Sequence, residues 1–412
     1  MRPERISLAL ALAAGLAWGA ARADDDLHGR IELQDAGLFA RADSLSDQVG
    51  GDAANDLSGN LRLIWEPDWG RWSLSVHELI SFENGPNVRL ARDEAGVIPE
   101  PPATWLNLSG PIASHGQLIA TQGIDRLAVT YTAPDFVVRL GRQALTWGSG
   151  LVFRPMDLFD PFSPTATDTE YKPGTDMAYA QWLFKDGSDL QAVVVPRAER
   201  LNGAPTADAS SFALHLHTTL MGHETTWLLA RDHGDVVAGA GLNGALTGAT
   251  WNLELVPTVL AKGGARVSMV ANISDAVTLW GRNATVFAEY FRNGFGVTGP
   301  ASLTSLPADL TDRLGRGQVF TIRRDYLAAG ATVEVDPLLN LSPTLIVDAD
   351  DGSLYALLAG TYSLADDLTL VAGAQAPIGP ARSEYGGLLL APAGRLRLAP
   401  PAEAYLQLRR YF

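Results

Sequence analysis

The chain has 412 residues, 47% of them hydrophobic, with 31 basic against 46 acidic side chains and no cysteine. A net charge of −15 speaks against nucleic acid, whose binding rests on Lys and Arg meeting phosphates, and a chain without cysteine cannot be stapled by disulfides. No stretch beyond Asp24 reaches 18 consecutive apolar residues, so a helical membrane protein is excluded by length.

At the start of the chain, Arg2 and Arg5 precede an almost wholly apolar run from Ile6 to Ala21, and Ala21-Arg22-Ala23 offers a small-x-small cleavage site. About 16 apolar residues fall short of the roughly 20 that a spanning helix needs. The pattern therefore predicts a secretory signal peptide over residues 1–23 and an exported domain over 24–412. Cleavage would remove Arg2, Arg5 and Arg22 against Glu4 alone, leaving a still more acidic chain.

Beyond Asp24 the dominant pattern has period two. In Ser211–Leu220, Phe212, Leu214 and Leu216 alternate with His215, His217 and Thr219; in Ala249–Pro257, Trp251, Leu253 and Leu255 alternate with Asn252 and Glu254. Comparable segments lie near 29–41, 58–66, 72–82, 126–133, 136–146, 176–185, 189–197, 211–220, 224–232, 235–247, 249–258, 265–273, 283–293, 326–335, 338–347, 353–363, 368–377 and 402–412. Alternation over roughly ten residues is the signature of a membrane strand with one face to lipid and one to a lumen, and the prediction is all-β: a closed antiparallel transmembrane β-barrel of about 18 strands, 16 being the alternative count. The connections alternate between short links such as Pro134-Asp135 or Gly248 and longer ones at 42–57, 83–125, 147–175, 198–210, 294–325 and 378–401. Short periplasmic turns and long extracellular loops are the asymmetry of such barrels. Trp65, Trp69, Trp72, Trp182, Trp227, Trp251, Trp280, Tyr290, Tyr405, Tyr411 and Phe412 sit near strand ends, where interfacial girdles would need them.

From the fifth strand into the following loop the chain reads Gly141-Arg142-Gln143, Trp147-Gly148, then Arg154-Pro155-Met156-Asp157-Leu158-Phe159-Asp160-Pro161-Phe162-Ser163-Pro164 and Glu170-Tyr171-Lys172-Pro173-Gly174. Three prolines within ten residues fit neither a central strand nor a helix interior, and the apolar content predicts an ordered loop packed against something. Over about 35 residues this segment resembles families of large outer-membrane barrels that carry a Gly-Arg-Gln strand ending, a Trp-Gly and a Pro-rich Asp-Leu-Phe loop. The resemblance implies a porin-like protein, in which the third outside loop, here 147–175, folds into the lumen and narrows it. Arg154, Asp157, Asp160, Asp168 and Glu170 on that loop would then line a constriction opposite Arg62, Arg139, Arg197, Arg266 and Arg409, which fall on the lumen parity of their segments. Opposed acids and bases set ion preference or else pair off and stiffen the loop. Glu78 and Arg142 fall on the lipid-facing parity, which predicts a bulge or an interface position rather than a buried charge.

The chain closes on an alternating strand ending in Tyr411-Phe412. A terminal Phe on such a strand resembles the signal by which outer-membrane barrels are recognised for assembly, although Arg410 falls where a hydrophobe is usual. Expected partners are outer-membrane lipid and lipopolysaccharide, the barrel assembly machinery and small solutes. No cofactor is expected. His215 and His217 share a face without a carboxylate at ligand spacing, no calcium-loop spacing accompanies the acidic clusters, and no nucleophile motif indicates an enzyme. The readings left open are a channel for small polar or charged solutes, a sheath or scaffold for a partner such as an electron-transfer cytochrome, and a surface-polysaccharide anchor.

Overall fold

A computed structural model describes residues 27–94, 103–199, 203–392 and 394–412; the expected signal peptide over 1–23 lies outside them. Eighteen antiparallel strands wind once around a closed barrel. In chain order they are β1 (Leu27–Phe39), β2 (Ala53–Trp65), β3 (Trp72–Asn84), β4 (Leu118–Thr132), β5 (Phe136–Gln143) and β6 (Thr175–Leu183). Next come β7 (Asp189–Val195), β8 (Ser211–Leu220), β9 (His223–Asp232), β10 (Asp235–Leu246), β11 (Ala249–Val259) and β12 (Ala265–Leu279). The last six are β13 (Arg282–Arg292), β14 (Asp325–Asp336), β15 (Leu339–Asp348), β16 (Leu354–Ala365), β17 (Leu368–Ile378) and β18 (Ala402–Tyr411).

Each strand pairs with its sequence neighbour, and β18 pairs with β1 from Arg30 opposite Tyr411 to Phe39 opposite Ala402. Closure satisfies the backbone groups that an open edge would expose, a requirement in a solvent that cannot hydrogen-bond. The seam is finished by Phe412, whose N–H and C=O exchange bonds with Gly29 at 3.1 and 2.9 Å. Gly29 has to be glycine there, because a Cβ would stand 2.6 Å from the Phe412 ring.

Side chains divide by parity. Leu229, Leu253, Leu327 and Leu406 point outward and are exposed, whereas Arg30, Glu32, Arg62, Glu254, Glu289 and Gln407 point inward and are buried. This inversion of a soluble protein is what a lipid-facing wall demands. Among the described residues no helix is long and apolar enough to cross a membrane.

Eight connections at one end, the turn end, are short. Both described chain ends lie there too. Met221-Gly222, Thr247-Gly248 and Trp280-Gly281 have positive φ at both positions, the conformation whose twist matches that of the flanking strands. Loops at the other end are longer, apart from His233-Gly234 and the links at 260–264 and 349–353. Trp65, Trp69, Trp72 and Trp280 are exposed around the turn end. Tyr405 and Tyr411 correct the girdle expectation: they lie on the inward parity of β18 with Gln407 and Arg409, and the Tyr411 hydroxyl donates to Glu170 at 2.9 Å inside the barrel.

The segment expected as a loop over 83–125 is more structured. A helix spans Pro86–Glu94, and Ser109–His115 pairs with the start of β4 as a hairpin. Part of this excursion returns to the outer wall and explains Arg142. That residue is buried and paired with Asp176 on the adjacent strand at 2.8 Å. Leu106 covers the pair, its N–H donating to Asp176 at 2.8 Å and its carbonyl accepting from Arg142 at 2.5 Å. Arg142 has the outward parity expected of it, but the charge is buried because a distant loop covers it. Beside Glu78 there is a bulge, where the β3–β4 register shifts between His77 and Glu78.

Candidate functional site in the barrel lumen

Residues 144–174, which join β5 to β6, run across the inside of the barrel. Two inward-facing carboxylates hold the first half. Glu289 on β13 accepts the N–H groups of Leu151, Val152 and Phe153 at 2.6, 3.1 and 2.8 Å. Glu254 on β11 accepts the Ser149 N–H, and the Ser149 hydroxyl at 2.8 Å. Asn272 on β12 joins the two by donating to Ser149 O at 3.1 Å and to Glu289 at 3.2 Å. Consecutive amides converging on one anion resemble the concave backbone sites that bind anionic ligands. Here the anion belongs to the wall.

Gly148 makes this approach feasible. Its φ is +93°, and a Cβ would lie 3.1 Å from the Glu254 carboxylate. The neighbouring Trp147 stacks on His215 of β8, with ring centroids 5.0 Å apart and planes 7° apart, and donates to Gln191 of β7 at 2.8 Å. Phe153 stacks on Phe291 of β13 at 4.4 Å. Met156, Leu158 and Phe159 are buried in the same cluster as Trp147. The aromatic and apolar content noted in the sequence is therefore the packing surface of the loop against the wall.

The second half reaches the opposite wall. Arg30 on β1, which sequence reasoning does not single out, donates to Asp168 at 2.6 Å and to Glu170 at 2.8 Å. Arg409 on β18 binds Glu32 at 2.7 Å and lies 3.7 Å from Asp168. Arg62 on β2 is paired with Asp125, and Tyr171 lies under the guanidinium groups of both Arg62 and Arg30, at 4.4 and 4.9 Å. Burial pushes the Asp168 carboxyl up, but its bonds from Arg30 and the Glu170 N–H bring it below the ordinary carboxylate value.

The remaining expected residues are placed differently. Asp157 meets no wall base; it binds Lys172 of the same loop at 2.7 Å. Burial outweighs that partner and pushes Asp157 up to about 6, and burial also lowers Lys172. Asp160 accepts from the Thr175 hydroxyl. Arg154 is held within the loop, its Nε donating to Gly150 O at 3.0 Å. Arg197 lies beyond β7 and stands 3.8 Å from Asp232. Arg266 pairs at 2.8 Å with Asp309, on a helix (Ala308–Gly315) in the loop between β13 and β14. Arg139 faces the lumen and donates to the Thr130 hydroxyl at 3.0 Å.

Sequence reasoning misses the anchors Glu254 and Glu289 as well as Arg30. Each is a charge on the inward parity of a strand, which is the available signal, but parity alone does not say which inward charges meet a loop. Among the described residues no group of three or more His, Asp or Glu is placed to hold a metal. The cluster Asp348, Asp350 and Asp351 is occupied by loop amides and Arg323: Asp350 accepts the N–H groups of Arg324 and Asp325, and Asp351 accepts Arg323 Nε at 3.1 Å.

No family model and no curated protein matches this sequence. The fold does match solved structures. It is similar to Acinetobacter baumannii OccAB1, with a TM-score of 0.51 at 10% identity over 94% of this chain and 97% of that one. Similarity to Pseudomonas aeruginosa OpdK, solved with vanillate, gives 0.52 at 10% identity over 94% and 99%. Escherichia coli Wzi, an outer-membrane protein involved in group 1 capsule assembly and described as a carbohydrate-binding β-barrel, gives 0.55 at 9% identity over 97% and 86%. At these identities what is shared is the fold, and the chain has the fold of outer-membrane β-barrels.

Proposed function

We propose that this protein is an outer-membrane channel for small polar or charged solutes, with its turn end in the periplasm and its lumen narrowed by residues 144–174. The observation that carries this reading is the anchoring of the loop at mid-barrel. A loop that merely covered the barrel would pack on its rim. This one is bound by buried carboxylates of β11 and β13 on one side and by buried Arg30 of β1 on the other, so it is held inside the lumen. Asp168 and Glu170, which stay partly exposed beside Arg30, are the charges that would give a solute pathway its ion preference. A sheath around a partner protein needs an unoccupied lumen, and the loop stands where the partner would be.

Purified, refolded protein is expected to give discrete conductance steps in a planar bilayer. Absence of steps, together with absence of solute uptake into liposomes, would overturn the proposal. The likeness to Wzi over 97% of the chain supports a second reading, a surface-polysaccharide anchor. That reading predicts retention on an immobilised capsular glycan without conductance.

A further inference from the structure

Beneath Ala144 and Leu145, where the loop leaves β5, the lumen wall contains a recess of about 360 Å³. Ser73 and Ser75 of β3, Thr130 of β4, Arg139 of β5, and Tyr179 and Gln181 of β6 line it. All six sit on the inward parity, so the recess opens to the lumen and not to lipid.

Its guanidinium differs from the others on the wall. Arg30, Arg62, Arg126, Arg266 and Arg409 each have a carboxylate within ion-pair distance. Arg139 has none among the described residues. Its Nε is taken by Thr130 and its Cζ lies 6.0 Å from the centroid of the Tyr179 ring, which leaves the outer edge of the fork without a protein acceptor among the described residues. The acid of this region, Asp189, is already engaged: it accepts from Gln181 at 3.0 Å and Gln191 at 2.8 Å, and lies 3.4 Å from His217. A lumen-facing guanidinium with no carboxylate at ion-pair distance among the described residues is available to an anion from solution.

We propose that this recess binds a small, singly charged polyhydroxy acid, with its carboxylate on Arg139 and its hydroxyls on Ser73, Ser75 and Thr130. The planar fork matches a carboxylate in two-point contact. One cation sets the charge, since a dianion would bring a charge without a partner and a neutral sugar would leave the guanidinium bare. The hydroxyl-bearing walls match a ligand that carries hydroxyls of its own, and the volume lies within the range of small-molecule sites. The inference deepens the channel reading and rests on solutes entering the lumen.

The test is calorimetric titration of the full protein in detergent with gluconate at low salt, with acetate and glucose as probes of each half of the ligand. Gluconate is expected to bind saturably and more tightly than either. Arg139→Gln should weaken it by about tenfold or more and Arg139→Lys by less. Ser75→Val should weaken gluconate but leave acetate unchanged. Retained heat-modifiable mobility shows that each variant is folded, and if Arg139→Gln fails to fold, Arg139→Lys and Ser75→Val carry the test. Equal binding of gluconate, acetate and glucose, or folded Arg139 and Ser75 variants that bind gluconate like the parent, would overturn the assignment. Conductance of the same preparation separates the two claims: steps without gluconate binding overturn the site alone, and binding without steps overturns the channel alone.

Discussion

Glu289→Ala tests the loop anchor directly. The substitution removes the acceptor of three consecutive amides, Leu151, Val152 and Phe153, and of the Asn272 side chain. Bonds to a charged acceptor are each worth about 1.5–3 kcal/mol, but three converging on one group do not add. A loss on the order of 3–5 kcal/mol, as for breaking other buried charged contacts, is the appropriate scale. At about 1.4 kcal/mol per tenfold, the open form of the loop rises by roughly two to three and a half orders of magnitude. The stack of Phe153 on Phe291 survives, but at about 0.5–1.5 kcal/mol it does not offset the loss. Hydrogen exchange of peptides covering 149–160 should accelerate by that factor, while exchange in β11 and β13 stays as in the parent. Glu289→Gln, which keeps one acceptor oxygen, should fall between. Unchanged exchange over 149–160 in a folded Glu289→Ala protein would refute the anchoring argument.

Arg30→Ala leaves the partly exposed Asp168 and Glu170 without their main counter-charge, at a cost of about 1.5–3 kcal/mol, the scale of one bond to a charged group; the reversal potential in a KCl gradient should shift toward K⁺, and an unchanged potential would contradict the role given to these charges. Asp157, pushed up to about 6 by burial, binds its proton more tightly folded than unfolded. Its contribution is therefore full below about pH 4 and lost as pH rises through about 6, so loop exchange should rise across that window in the parent but not in Asp157→Asn, and parallel profiles would exclude this group as the cause. Deleting Phe412 removes both backbone bonds to Gly29 and, if the terminal residue is the assembly signal, lowers the heat-modifiable fraction in the outer membrane; an unchanged fraction would show that the signal lies elsewhere.

Every strand of the barrel is legible in the sequence, because a membrane wall forces one side chain in two to be apolar over its whole span, and few other environments impose that rule so uniformly. Ser211–Leu220 matches its predicted bounds residue for residue. The hairpin at Ser109–His115 is not legible, since Ser, Gly and Pro dilute its alternation. At the site, sequence shows an ordered loop and the parity of its possible partners, but not the pairing. Arg266 is expected to face the acids of loop 147–175 and instead meets Asp309, because register and loop paths determine which inward charges are neighbours. Trp147-Gly148 is legible as a motif, while its reason, close approach to Glu254, exists only in three dimensions.

The central claim is that solutes pass through this barrel at a width set by the inward loop. Single-channel recording of refolded, heat-modifiable protein, compared with a variant in which residues 149–164 are replaced by a short Gly-Ser linker, tests it most directly. Small, discrete steps in the parent and clearly larger ones in the variant are the predicted result; conductance that is the same in both, or absent from both, would contradict it.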